Sequence, residues 1–347
     1  MNAFETITDT LRQGCVIPAS PLALDSERRW DVARQRRLWR YYSQSQAGGI
    51  AIGVHTTQFA IRDVGLYRPL LELARDELDR LDQSRTHPLV RVAGICGRAP
   101  QAIEEADWAA RNGFHYGLVS LSAWQGATLE ECVEHCRRVG EVLPVFGFYL
   151  QPAVGGIELP YRFWRALLEL EPVAAIKVAA FDRYRTLDVV RAVIDSGRTD
   201  VALYTGNDDN IVPDLLQVYE FVRNGEIRRC RFVGGLLGQW ACWTGRAVEL
   251  LRRCHAFHRG ECDFGEFQKW IVGLTDANAA IFDVANHFAG CIPGIHEVLR
   301  RQGLLEGTWC LDPAEQLSPG QAEEIDRVCR EYPFLCEDRW VDEEFGA

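Results

Sequence analysis

The stretch Pro172-Val-Ala-Ala-Ile-Lys-Val-Ala-Ala-Phe181 sets a single lysine inside an otherwise apolar run. Of the 38 basic residues in the chain only Lys177 and Lys269 are lysine; every other one is arginine. A short, evenly apolar run rich in Val, Ile and Ala suits a parallel strand covered on both faces. A lysine amine desolvated among Val173, Ile176, Val178 and Phe181 should lose pKa, because burial disfavours the ammonium form. An unprotonated amine can attack a ketone or aldehyde to give an imine, which then acts as an electron sink. The alternative is an ammonium that snorkels outward or pairs with a carboxylate such as Asp182. Composition leaves both readings open.

Similar runs recur on either side. They centre on Val16-Ile17, Ile50-Ala-Ile52, Val90-Arg-Val-Ala93, Leu118-Val-Ser-Leu121, Val145-Phe-Gly-Phe-Tyr149, Ala175-Ile-Lys177, Val201-Ala-Leu-Tyr204 and Phe232-Val-Gly234. Their spacing, roughly 26 to 41 residues, is that of successive βα units. Helical periodicity is expected between them over 27–45, 100–112, 128–140, 160–170, 186–196 and 209–224, with Gly113, Gly140 and Gly197 as stops. Eight alternations predict an α/β fold, a (β/α)8 TIM barrel. The rival is a doubly wound open sheet, but no Gly-x-Gly-x-x-Gly turn follows the first strand and no Walker-type loop occurs. Beyond about residue 240 the pattern is helical, over 240–258, 264–287, 295–302 and 318–332. The expected organisation is a barrel over 1–255 and a helical C-terminal appendage over 256–347.

Composition narrows the partners. In 347 residues, 47% apolar and 25% charged, the formal net charge is -11, which argues against nucleic acid or an anionic membrane as the main partner. No apolar stretch of about 18 residues or more occurs, and residues 1–15 carry acids and no unbroken apolar region, so no signal peptide is expected. The twelve cysteines read as reduced, buried thiols of a cytoplasmic protein.

In a barrel the reacting groups sit at the C-terminal ends of strands, and Lys177 ends the sixth. Tyr149 ends the fifth, where a hydroxyl could relay protons beside an imine; otherwise it is an interior phenol bonded to the backbone. After the second strand, Gly53-Val-His-Thr-Thr57 offers His55, Thr56 and Thr57 as a cradle for a carboxylate.

These segments, in this order and spacing, resemble the dihydrodipicolinate synthase/N-acetylneuraminate lyase family of class I aldolases. The resemblance covers roughly residues 10–300. Tyr149-Leu-Gln-Pro152 is similar to the family's Tyr-x-x-Pro segment and precedes Ile176-Lys177 at the family's interval. Gly53-Val-His-Thr-Thr57 resembles its Gly-Thr-Thr-Gly-Glu loop, Tyr204-Thr-Gly-Asn-Asp-Asp209 its Gly-Asp-Asp turn, and Phe232-Val-Gly-Gly235 its glycine-containing eighth strand, which lies beside the lysine. The resemblance implies a homodimer or homotetramer of barrels that needs no cofactor. A 2-keto acid, commonly pyruvate, would condense on Lys177, with Tyr149 as proton relay and the strand-two loop holding the carboxylate. Gly234 would lie at the substrate. The chemistry would be aldol cleavage, condensation or dehydration.

Three departures bear on the substrate. An ungapped reading puts Val54 and His55 at the family's paired threonines. Val154 stands where the synthases carry a carboxylate-binding Arg, and an apolar side chain cannot replace a guanidinium. Trp124 stands at about the position of their tyrosine after strand four. A bulkier or less charged carbonyl substrate is therefore expected, contacted by Trp124.

Other classes are weighed against this. Cys254-His255-x-x-His258-x-x-x-Cys262 offers four ligand atoms but lacks the paired knuckles of zinc sites, and no metal is expected; Cys132, His135 and Cys136 fall on an amphipathic helix. A metal-dependent hydrolase barrel would carry His-x-His where strand one ends in Pro18-Ala-Ser-Pro21. A non-catalytic metabolite-binding barrel, a sensor or regulator, is the alternative, and borohydride trapping of an adduct separates it from a lyase.

Overall fold

All eight apolar runs form strands of one parallel barrel in the computed structural model, which describes residues 3–337, 339 and 340. The strands are β1 (Val16–Pro18), β2 (Gly49–Ile52), β3 (Val90–Ile95), β4 (Tyr116–Val119), β5 (Val145–Leu150), β6 (Val173–Ala179), β7 (Ala202–Thr205) and, closing the ring, β10 (Phe232–Leu237). Hydrogen bonds link them in the order β1-β10-β7-β6-β5-β4-β3-β2. The remaining seam, between β1 and β2, is joined by the parallel bridge Ala19↔Ala51 and by the Ser20 amide donating to the Ala51 carbonyl at 2.8 Å. The chain is therefore a TIM barrel.

Parity along the strands separates two cores. Phe146, Phe148, Leu150, Ala175, Ala179 and Tyr204 fill the barrel interior. Their neighbours Val145, Tyr149, Val173, Ile176 and Val178 face the surrounding helices. Successive side chains on a strand point to opposite faces, so Lys177, between Ile176 and Val178, points inward.

The helices are α1 (Ala3–Gln13), α2 (Val32–Gln44), α3 (Tyr67–Asp82), α4 (Ala99–Arg111), α5 (Leu129–Gly140), α6 (Tyr161–Leu167), α7 (Arg183–Ser196), α8 (Ile211–Leu216), α9 (Thr244–His258), α10 (Gln268–Ile281), α11 (Cys291–Arg301) and α12 (Gln321–Glu331). Helix α1 plugs the bottom of the barrel. Ile7 and Leu11 join the interior cluster, and the Tyr204 hydroxyl donates to the Leu11 carbonyl at 2.8 Å. Thr128 starts α5 through a reciprocal capping box with Glu131, which satisfies two orphan amides.

One expected helix is replaced. The segment 209–224 gives only the short α8, followed by the hairpin strand β8 (Tyr219–Arg223), which pairs antiparallel with β9 (Glu226–Cys230). Asn224 and Gly225 both adopt positive φ, 52° and 79°. That is what a two-residue hairpin turn requires, and Asn-Gly is its preferred sequence. The helices after residue 255 do not stand apart: Asn278 and Thr275 of α10 bond the carbonyls of Asp208 and Asp209 at the barrel's mouth, at 2.7 and 3.1 Å.

Candidate active site

Lys177 stands at the floor of a small cavity at the C-terminal mouth of the barrel. Its neighbours in register are Phe148 on β5 and Tyr204 on β7. The residue is 8% exposed, and among the described residues it has no ion-pair or hydrogen-bond partner. Its Nζ lies 4.7 Å from the centre of the Phe148 ring. Burial pushes the amine down from its ordinary range, against a smaller upward pull from Asp208. Desolvation dominates because little else in the cavity stabilises the ammonium. Gly206 makes room for the side chain: a Cβ there would lie 2.6 Å from Lys177 Cε and 2.9 Å from Ala179 Cβ.

The inner cavity holds about 60 Å³, and its polar side chains are His55, Thr56, Gln151, Lys177 and Asp208. It adjoins a vestibule of about 400 Å³ bounded by Ala279, Val284 and Thr275. Gln151, Phe181, Asp208, Phe282 and Phe288 line both spaces. The Phe181 and Phe288 rings meet edge to face, centres 6.0 Å apart, and both residues hold positive φ, 51° and 66°. Non-glycine residues held there store strain of a kind that clusters at ligand sites. Among the described residues, neither space is lined by an arginine.

Asp208 follows β7 in a tightly bonded loop. Its Oδ1 is buried without a hydrogen-bond partner. Burial raises its carboxyl well above the usual carboxylate range, and Lys177 opposes that rise. The neighbouring Asp214 is wholly buried and fully satisfied, accepting from Arg183, Thr205, Asn207 and Asn210 at 2.6 to 3.0 Å. His55 is pushed down to about 4, first by burial and then by the charge of Lys177, so its imidazole is neutral near pH 7.

The sequence-predicted residues divide. Lys177, His55 and Thr56 line the cavity. The Thr56 hydroxyl donates to the Ala19 carbonyl at 2.8 Å. Thr57 is structural: its hydroxyl donates to the Ser20 carbonyl and accepts the Gly53 and Val54 amides, fixing the turn from below. Tyr149 is not brought to the lysine. It is in register with Val178, on the outer face of β5. Its hydroxyl accepts from the Leu159 amide at 3.5 Å and its ring packs on Trp164.

Trp124 also lies outside the cavity, against His135 with ring centres 4.6 Å apart, its indole donating to the Gly97 carbonyl. Gly234 packs below the site: a Cβ there would meet the Cys15 backbone at 2.5 Å and the Tyr204 ring at 2.9 Å. The glycine that does line the cavity beyond this strand is Gly238. Asp208, Gln151 and the phenylalanines were not singled out as site residues, although Asp208 falls in the Gly-Asn-Asp turn that the resemblance marked.

The Cys254–Cys262 cluster is engaged otherwise. The imidazoles of His255 and His258 donate to the Val233 and Leu215 carbonyls, each at 2.8 Å, and Cys254 is fully buried.

No family model matches the chain. It is 21% identical over 238 residues to N-acetylneuraminate lyase 2 of Escherichia coli O6:H1, spanning 62% of this chain and 74% of that protein. Among solved structures, dihydrodipicolinate synthase from Oceanobacillus iheyensis superposes with a TM-score of 0.72 at 18% identity, covering 96% of this chain and 99% of that one. YagE of E. coli K12, solved in complex with pyruvate, gives a TM-score of 0.74 at 16% identity, covering 92% and 98%. The chain shares its barrel fold with these structures of the dihydrodipicolinate synthase family, and its sequence is similar to that of an N-acetylneuraminate lyase.

Proposed function

We propose that this protein is a lyase that works through an imine formed between Lys177 and a 2-keto acid such as pyruvate. The observation that carries the reading is the position of the amine: buried at the floor of the barrel mouth, unpaired, and shifted toward its free-base form. Attack by Nζ on the ketone carbon and loss of water give an iminium. Its positive nitrogen withdraws electrons, so a carbon–carbon bond can form or break, or water can leave, at the adjacent carbons.

The keto acid's carboxylate is assigned to the strand-two turn, where His55 and Thr56 line the cavity, with the Gln151 amide beside them. The second half of the substrate falls in the vestibule, among Phe181, Phe282, Phe288 and Val284 and beside Gln151, Asp209, Thr275 and Asn278. An anionic group would stand there without a guanidinium partner, and an unpaired charge in such surroundings is costly. An apolar surface, in contrast, is favoured by about 25 cal/mol per Å² buried. We therefore assign an uncharged, apolar carbonyl partner, a class distinct from aspartate semialdehyde. A dimer or tetramer of barrels belongs to the same reading, and light scattering measures it.

The test is turnover with a panel of 2-keto acids and aldehydes, monitored together with borohydride trapping. Condensation of pyruvate with apolar aldehydes, and trapping that disappears in Lys177→Ala, is the expected outcome. Tight binding of keto acids with neither adduct nor turnover would make the protein a metabolite binder instead.

A further inference from the structure

With Tyr149 on the outer face of β5, no phenol lines the cavity among the described residues. The side chains in register with Lys177 are Phe148, which carries no proton to move, and Tyr204, whose hydroxyl is turned to the bottom of the barrel and committed to the Leu11 carbonyl. An imine lyase still needs a group that removes and returns a proton at the carbon beside the iminium. The Thr56 hydroxyl is committed to the Ala19 carbonyl, which leaves His55, Gln151 and Asp208 as polar side chains with free capacity in the cavity.

We propose that Asp208 is the proton-transfer residue of this active site, taking the place a tyrosine would fill. The inference rests on the imine reading given above. Asp208 lines both the inner cavity and the vestibule, so it stands where the keto acid's reacting carbon meets its partner. Its Oδ1 is buried and has no hydrogen-bond partner among the described residues, an arrangement that costs folding energy and leaves that oxygen free to exchange a proton with substrate.

The loop that holds it is rigid. Asn278 bonds its carbonyl, and Asn207 bridges the Phe181 amide and the buried Asp214. The charged and titratable groups that face it are Lys177, Asp209 and the buried thiols of Cys242 and Cys291, and His55 lines the same cavity. The raised affinity of Asp208 for a proton fits a group that must both give and take one near neutrality.

The steps balance. After Nζ adds to the ketone and its protons redistribute, the carbinolamine hydroxyl takes a proton from the Asp208 carboxyl and leaves as water. This gives the iminium and a carboxylate. The carboxylate removes a proton from the adjacent carbon, whose C–H electrons form the enamine double bond and neutralise the nitrogen. The enamine carbon then attacks the aldehyde carbon, and the carbonyl electrons move to its oxygen, which takes the proton back from Asp208. Water hydrolyses the product iminium and frees the amine, and the proton released returns to the Asp208 carboxylate.

The experiment follows exchange of the pyruvate methyl protons in deuterium oxide by NMR, with borohydride trapping of the same samples. Wild type exchanges and is trapped. Asp208→Asn should still be trapped on Lys177, more slowly but to the same final extent, while exchange falls by about 100-fold or more, the scale of general acid–base catalysis. Asp208→Glu should restore part of it, and Tyr149→Phe, on the outer face of β5, should change it by no more than about threefold. A smaller loss in Asp208→Asn, loss of its adduct, or an equal loss in Tyr149→Phe overturns the assignment. Failure of wild type to form any adduct would instead sink the imine reading itself.

Discussion

A single position on β5 decides which aromatic ring meets the lysine. Phe148 and Lys177 share a register position and an inward face, whereas Tyr149 faces Trp164 outside the barrel. Tyr149→Phe should therefore leave pyruvate adduct formation within about threefold of wild type. It should cost about 1 kcal/mol of stability through the lost bond to the Leu159 amide. A hundredfold loss of adduct formation would return the tyrosine to the chemistry. Gly206→Ala should act oppositely. The added methyl collides with Lys177 Cε and Ala179 Cβ, and displacing a nucleophile by about 1 Å costs roughly 100-fold in rate. Unchanged trapping kinetics in that variant would show that the lysine needs no such space.

At this scale the sequence was partly legible. Lys177 stood out because a chain written almost wholly in arginine keeps a lysine in an apolar strand. The face of Tyr149 did not, because a strand covered on both sides shows no apolar–polar alternation to fix its parity. Trp124 and Gly234 were placed by likeness of position alone, and packing against His135 and the Cys15 backbone accounts for them.

Among the elements, the loop after β7 carries the largest burden. Asp214 is wholly buried and joins Arg183, Thr205, Asn207 and Asn210, and Asn207 in turn fixes the Phe181 amide. Removing one member of a buried ion pair leaves the other uncompensated. Arg183 is 40% exposed, which discounts that penalty, so Asp214→Asn should destabilise the fold by about 2–3 kcal/mol in urea unfolding. A change under about 0.5 kcal/mol would show that the network holds nothing in place. Barrel strands were readable because each is a short apolar run between helical periodicities. The β8–β9 hairpin was not recognised: its alternating Tyr219-Glu-Phe-Val-Arg223 and the Asn224-Gly225 turn were read as the tail of a helix. The signal was present in the turn residues.

For the whole molecule, buried imidazoles set the acid limit. His135 is 1% exposed, with neither ring nitrogen hydrogen-bonded. Burial, with a smaller contribution from Arg138, pushes it from 6.5 down to about 4. His55, His115 and His296 move to about 4 as well. Between those values the unfolded chain binds protons that the folded chain does not, so these groups remove stability as pH falls from 6.5 to 4. Asp208, whose carboxyl is raised, works in the opposite sense over its own range. His135→Leu removes one imidazole and two unsatisfied nitrogens. The difference between Tm at pH 7.5 and at pH 5 should narrow in that variant, as measured by calorimetry. An unchanged difference would mean that His135 is already protonated in the folded state.

The central claim is that one amine, held uncharged inside the barrel, bonds covalently to substrate. The chain's two lysines make the decisive measurement simple, since exposed Lys269 serves as an internal control. Peptide mass spectrometry after borohydride reduction with pyruvate should place a single reduced adduct on the peptide containing Lys177 and leave Lys269 unmodified. Equal labelling of both lysines, or none on Lys177, would contradict the account.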